Sequence, residues 1–406
     1  MKAVKIFSVA IASAGFLLLA TAAEVKAVSL KYNTSIGRPA NLAGGELPGT
    51  PGTLAAPQGV AVQESTGNIF VANGRGIDRI DVFSSSGNYL EGIGGTGSGP
   101  GQFDEPAAIA FQPGTGNLYA GDVFNNRINV FDSKGNYLKS VAEGQFGGLI
   151  EGRLFFGPSS IVFDKVGNGY VGDFSNDRII KINPDGEIIG SIGNSGNQLG
   201  QFQGPAGIAI SPKSGNFVVT DQFNNRVQIL NSEAKPIKTF GEAGTKPGQF
   251  NQPVDVEVDE FDNIYVMDLI NSRVQVFDKD GNFLSEYGKA AAGRPPQLGE
   301  QSPYGDPLDL TPGTFNWAAG SDYKDGKLYV GDFFQGRIQV LDVNNTQSTP
   351  VPEPDYSLGL AVLGTAVAVA KWRKNQKQKL IESLEKRLGK SLDTEEQLEK
   401  PYFSRS

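Results

Sequence analysis

The chain has 406 residues, with 53 Gly, 23 Pro and only 20% charged residues, which suits many short strands joined by tight turns and argues against a helical bundle or a disordered chain. It contains no Cys and no His, which excludes disulfides, thiolate nucleophiles, Cys- or His-bound zinc and the usual general base near neutral pH. Residues 28–370 carry 23 Lys and Arg against 37 Asp and Glu, a net of −14, so nucleic acid is not an expected partner.

Residues 1–23 have the form of a cleavable export signal. Lys2 and Lys5 make a positive start, Ile6 to Ala20 is apolar, and Ala20-Thr21-Ala22 has the small-x-small form of a cleavage site. Val25-Lys26-Ala27 is a second possible site, which would end the signal at 27. An uncleaved anchor is the alternative, although the apolar run is short for a span.

Between residues 53 and 343 one pattern recurs. Five repeats open on Pro57, Pro106, Pro158, Pro205 and Pro253, each followed by an alternating apolar stretch such as Gly207-Ile208-Ala209-Ile210. A Gly-Asn or Asp-Asn turn follows. A second strand then ends in acid at Asp122, Asp173, Asp221, Asp268 and Asp332, with Asn73 in the first repeat. A third strand begins at Arg79, Arg127, Arg178, Arg226, Arg273 and Arg337, and most repeats add a fourth, such as Tyr137-Leu138-Lys139-Ser140-Val141. The arginines stand 48, 51, 48, 47 and 64 residues apart, the length of a four-stranded propeller blade. Small residues on one face of the first strands (Gly59, Ala61; Ala108, Ala110; Gly207, Ala209) fit an innermost strand, where space is least.

A lone blade cannot bury both faces, so the blades must stack and the ring must close. The pattern predicts an all-β, six-bladed propeller over residues 28–347. Its sixth repeat lacks a fourth strand, and Val28 to Gly37 reads like the fourth strands elsewhere, so the mature N-terminus is expected to complete blade six and remove an open edge. Asp221-Gln222-Phe223-Asn224-Asn225-Arg226-Val227-Gln228-Ile229 and its counterparts resemble the NHL repeat.

After the repeats come Val351-Pro352-Glu353-Pro354, an uncharged, mostly apolar run from Tyr356 to Ala370, and the basic cluster Lys371-Trp372-Arg373-Lys374. As a helix that run reaches only about 22 Å, short of a hydrocarbon core of about 30 Å. The order over 350–379 resembles the PEP-CTERM sorting signal, which implies recognition and cutting by an exosortase, a membrane-embedded processing enzyme of Gram-negative bacteria. The resemblance implies at least transient membrane attachment through a C-terminal hydrophobic helix. A plain single-span anchor is the alternative reading. Unlike that family, the chain continues over 380–406, where Leu380, Ile381, Leu384 and Leu388 predict a short amphipathic helix.

The Asp/Arg pairs (Asp122 and Arg127, Asp173 and Arg178, Asp221 and Arg226, Asp268 and Arg273, Asp332 and Arg337) belong to the repeat, so they are expected to pin turns. The turn between them is expected to carry a ring of large apolar side chains, Phe124, Phe174, Phe223, Ile270, Phe333 and Phe334, as a binding rim; the alternative is that each tucks under its own loop. Two long connections, Arg38 to Ala56 and Gly288 to Gly313, fall on the same face. In blade five, Asp255 and Glu257 take places that other blades give to Gly, Ala, Ser or Val, which sets two carboxylates near the channel. They are expected to be solvated there, with Ca²⁺ the one cofactor they admit and no metal otherwise expected.

The NHL resemblance spans enzymes and binding proteins. Its amidating lyases use histidine-bound zinc, which this chain cannot build; its lactonases use a central Ca²⁺ held by carboxylates and amides. The expectation is an exported, envelope-associated, non-enzymatic binding or scaffold propeller with a protein or polysaccharide partner. A Ca²⁺-type lyase or lactonase acting in the channel is the alternative.

Overall fold

Five inner strands open on the prolines that punctuate the sequence: Pro57–Val62, Pro106–Phe111, Pro158–Phe163, Pro205–Ile210 and Pro253–Val258. Proline brings no N–H to a ladder, so the first residue of a strand is where it costs least. The sixth inner strand, Ala318–Lys324, begins without one. The structure is a computed structural model and describes residues 27–40, 45–47, 49–148, 157–292, 308–346 and 378–379. The signal read over 1–23, the sorting motif Val351 to Pro354 with its apolar run, and the helix expected over 380–406 lie outside the described residues.

Among the described residues the strands form six four-stranded sheets and one two-stranded parallel pair. Each four-stranded sheet is one blade of a β-propeller. Blade four shows the plan: Pro205–Ile210, Phe217–Asp221, Arg226–Leu230 and Pro236–Phe240 lie side by side as an antiparallel meander. Successive inner strands pack on one another around the axis, and Ala318–Lys324 packs on Pro57–Val62 to complete the circle. Crowding at the axis explains the small residues. A Cβ on Gly320 would collide with the Gln58 carbonyl oxygen, and one on Gly59 with that of Ala107.

Between blades the core is aromatic and aliphatic. The connections into blades two, four, five and six each deliver a fully buried phenylalanine, Phe103, Phe202, Phe250 and Phe315, and Phe103 and Phe250 meet Phe131 and Phe277 with ring centroids 5.7 and 5.5 Å apart. Each buried ring contributes about 1.5–3 kcal/mol. These connections share one device, a parallel bridge such as Thr96 with Phe103 or Ala243 with Phe250. The two long connections are insertions into that device, since Arg38 bridges Thr53 and Lys289 pairs with Thr314 in the same way.

Blade six closes as the sequence leads one to expect. Ala27–Ile36 lies antiparallel on Arg337–Thr346, with Ala27 opposite Thr346 and Ile36 opposite Ile338. Both strands have 10 residues, against 5 for the third strands of other blades, so the pair continues beyond the ring as a two-stranded ribbon. The ribbon is fastened to blade five. Asn345 accepts a hydrogen bond from Asn263 Nδ2 (3.2 Å) and donates one to Asp259 (3.3 Å), and Ser285 Oγ donates to the Val28 carbonyl at 2.6 Å.

The meander defines two faces. The turns between second and third strands share one, the turn face, with the blade-to-blade connections. The hairpins share the other, the hairpin face, and the ribbon leaves from there. No helix among the described residues is long and apolar enough to cross a membrane.

Candidate functional site in the central channel

Asp221 shows what the repeated acid does. It accepts the Gln203 N–H at 2.7 Å and hydrogen bonds from Asn224 (2.9 Å), Arg226 Nε (2.8 Å) and Gln228 (3.0 Å). Arg226 then donates to the carbonyls of Asn197, Gln198 and Gln201 at 2.6–3.0 Å. The pair thus fastens the connection arriving from the preceding blade onto the turn. Asp122 with Arg127, Asp268 with Arg273, and Asp332 with Arg337 repeat the arrangement, and Asp173 with Arg178 keeps a thinner version in which, among the described residues, Arg178 reaches one carbonyl, that of Gln145. Burial pushes the carboxyls of Asp122, Asp221 and Asp268 upward against the pull of backbone, asparagine and arginine donors, and Asp332 up to about 6. These acids are enclosed and engaged within the fold.

The six apolar residues of the turn do not form one exposed ring. Phe174 and Phe333 are buried, Phe223, Ile270 and Phe334 are half-buried, and Phe124 is 48% exposed. The position directly after the acid is buried in five blades (Val123, Phe174, Gln222, Leu269, Phe333). In three of them that residue begins a single 3₁₀ turn: Phe174–Asn176, Gln222–Asn224 and Phe333–Gln335. The first residue of the turn points into the seam between blades. Phe174 accordingly meets Phe223 of the next blade at 5.8 Å, and Phe333 packs on Trp317 at 5.8 Å.

Inside the ring the inner strands enclose a channel with a cavity of about 830 Å³. Its wall runs from Arg75, Glu105, Phe124, Trp317 and Phe334 at the turn face to Glu64, Pro113 and Lys324 at the hairpin face. At the turn-face mouth the Arg75 guanidinium lies 5.0 Å from the Phe334 ring centroid. The third and fifth positions of the inner strands hold Gly59 and Ala61, Ala108 and Ala110, Ser160 and Val162, and Gly207 and Ala209 in blades one to four. Blade five has Asp255 and Glu257 at these positions, and blade six has Gly320 and Asp322. Asp255, Glu257 and Asp322 all line the cavity.

Sequence reasoning singles out the first two acids and misses Asp322. The sixth inner strand lacks the opening proline and has a shorter hairpin, so the repeat does not align by eye. Counting back from Asp332 through the pairing of Ser321 with Val330 finds it.

Two of the three acids join neighbouring blades. Asp255 accepts the Ser321 N–H at 2.6 Å and the Ser321 hydroxyl at 2.9 Å, which ties blade five to six. Asp322 accepts the Val62 N–H at 2.6 Å, which ties blade six to one. Ser160 makes a milder tie, accepting the Ile208 N–H at 3.1 Å. Glu257 makes no hydrogen bond among the described residues. Burial pushes all three carboxyls upward, Asp255 to about 6 and Asp322 to about 7, and Glu257 is raised further by the charges of Asp322 and Asp255. No group of three or more acids among the described residues is arranged to hold a metal ion.

Comparison with known proteins agrees with the architecture. Residues 58–143 match a family described as a 6-bladed beta-propeller, and residues 202–230 match the NHL repeat. A structural genomics protein of unknown function from Bacteroides thetaiotaomicron is similar at 16% identity, covering 78% of this chain and 76% of that one, with a TM-score of 0.55. A gluconolactonase from Xanthomonas campestris is similar at 13% identity over 77% of this chain and 99% of that one, with a TM-score of 0.50. At these identities the likeness shows a shared fold. Virginiamycin B lyase from Staphylococcus aureus reaches a TM-score of 0.48 at 14% identity, covering 78% and 99% of the two chains. No curated protein matches the chain.

Proposed function

We propose that this six-bladed propeller of NHL-type repeats is an exported, envelope-associated binding module whose turn face engages a protein or polysaccharide partner without turning it over. The observation that carries this reading is the opposition of the two faces. Ala27 and Thr346 leave together from the hairpin face, whereas Phe124 and the Trp317, Phe333 and Phe334 cluster under Arg75 flank the channel mouth on the turn face. The described chain thus enters and leaves the ring on the side opposite the turn face. Phe124 is exposed there and Arg75 and Phe334 are half-buried, and aromatic and arginine side chains beside a cavity are the groups that anchor partners. Export through residues 1–23 and handling of the Val351 to Pro354 motif by an exosortase-type enzyme would set the domain at the envelope. The test is capture from native envelope extract by the full chain. Phe124→Ser with Arg75→Glu should abolish capture, while Val166→Ser, on the hairpin face and 75% exposed, should not. Equal capture by all three would sink the reading.

A second reading, a lyase or lactonase acting in the channel with Ca²⁺, draws on the acids Asp255, Glu257 and Asp322. It requires a Ca²⁺-dependent rise in melting temperature that Glu257→Ala removes.

A further inference from the structure

We propose that the central channel is a binding site for a small organic cation, a protonated amine on a compact apolar body, with Glu257 and Asp322 as its counter-ions. This site lies inside the ring, on the walls of blades five and six, and meets the partner surface only at the turn-face mouth.

The first argument is the two-sidedness of the wall. Blades five and six supply the carboxyls Asp255, Glu257 and Asp322, and the wall contributed by the inner strands of blades two to four is mainly apolar, with Ala108, Ala110, Val162 and Ala209 beside the Ser159 and Ser160 hydroxyls, which are engaged with backbone. A ligand complementary to both sides has an apolar body and a polar head. The cavity of about 830 Å³ is in the range of sites that enclose small molecules.

The second argument is hydrogen-bond accounting. Asp255 is bonded to Ser321 and Asp322 to Val62, whereas Glu257, half-buried on the channel wall, has no protein donor among the described residues. Its carboxyl is open to a donor brought by a ligand in the cavity. An ammonium group offers three N–H donors and no acceptor, which suits the two Glu257 oxygens with the Asp322 carboxylate beside them. A ligand anion beside Glu257 would meet the like charge of Asp255 and Asp322.

The third argument is the placing of the nearby cation. Lys324 acts on Asp322 and lies 3.6 Å from Glu64, and it is not among the groups that act on Glu257. Glu257 faces Asp322 and Asp255, and both disfavour its charge. An incoming cation relieves that repulsion, so amine binding should release protons near neutral pH.

The test is calorimetry on the full chain with three probes of one shape: phenethylamine, 2-phenylethanol and phenylacetate. Repeating the amine titration in buffers of different ionisation enthalpy counts the protons released. The amine should bind about tenfold or more tightly than the alcohol, phenylacetate should not bind, and protons should be released at neutral pH. Glu257→Gln should weaken the amine by about tenfold and suppress the proton release. Asp322→Asn serves as the second variant, and thermal melting confirms that each variant folds. Val166→Ser, on the hairpin face outside the cavity wall, should leave amine affinity unchanged. No amine binding at millimolar concentration, equal affinity for amine and alcohol, or undiminished binding by a folded Glu257→Gln protein would each overturn the proposal.

Discussion

Asn73 donates from Nδ2 to Asp81 Oδ2 at 2.6 Å, and this pair is the reverse of Gln228 donating to Asp221 at 3.0 Å. In blade four the acid ends the second strand and the amide sits on the third; in blade one the two have exchanged places. The node keeps its work in both forms. Asn73 Oδ1 accepts the Ala55 N–H at 2.8 Å, as Asp221 accepts that of Gln203, and Arg79 Nε follows the charge to Asp81 at 2.6 Å. One buried carboxylate, one amide and one arginine are the requirement.

Asn73→Asp alone should therefore be costly. It sets two buried carboxylates against one guanidinium, for a loss of about 3–5 kcal/mol. Adding Asp81→Asn should recover most of that loss by recreating the blade-four arrangement. Chemical unfolding of the wild type, both single variants and the double variant gives the coupling directly.

The arginines should differ in worth with their acceptors. Arg226 holds Asp221 and three carbonyls with its side chain 12% exposed, whereas Arg178, 37% exposed, holds Asp173 and one carbonyl. Arg226→Ala should cost about 3 kcal/mol, and Arg178→Ala clearly less. Urea midpoints at constant slope decide this.

Removing Ala27 to Ile36 should destabilise the whole ring. The truncated chain would expose an edge of Arg337–Thr346 and lose Val28 and Ile36 from the core. The melting temperature should fall sharply, and equal melting of the two chains would refute the role assigned to the strand.

Stability should decline as pH rises from about 4 to about 7. Asp255 and Asp322 are raised to about 6 and about 7, with Glu257 raised as well, so the folded chain keeps protons that the unfolded chain has already released. Protonation favours the native state in that window, and the advantage is lost as each group ionises. Melting across the window should show the fall, and Asp322→Asn should flatten it.

The C-terminal motif makes a separate prediction. If a sorting enzyme reads Pro352-Glu353-Pro354, the mature protein from native envelopes should lack everything after about residue 354. Mass spectrometry that recovers peptides from Leu380 to Lys400 in the mature species would leave a plain anchor instead. Glu353→Ala should make the precursor accumulate.

The blades were legible in the sequence because each repeat carries its own punctuation. Pro205 starts a strand, Gly215-Asn216 turns it, and Asp221 and Arg226 bracket the next turn, so fold and closure follow from local signals that agree. Asp255 and Glu257 stood out for the same reason, as charges in places reserved for small residues. The rim was harder to read. Phe174 and Phe223 look alike in sequence, and only the single 3₁₀ turn decides that one enters the seam while the other stays partly outside. Asp322 escaped because Ala318 replaces the proline that marks the other inner strands.

The ribbon made by Ala27–Ile36 and Arg337–Thr346 also sets how the domain bears mechanical force. Arg337–Thr346 is held on both flanks, by Ala27–Ile36 and by Lys327–Asp332. Tension applied to the chain beyond Thr346 runs along the strand axis and shears two ladders of hydrogen bonds at once, so no single bond carries the load. Because Ala27 sits opposite Thr346, tension that draws the two ends apart acts across the ladder and parts it one pair at a time. The ladder therefore resists a pull along Arg337–Thr346 and yields to one that separates Ala27 from Thr346.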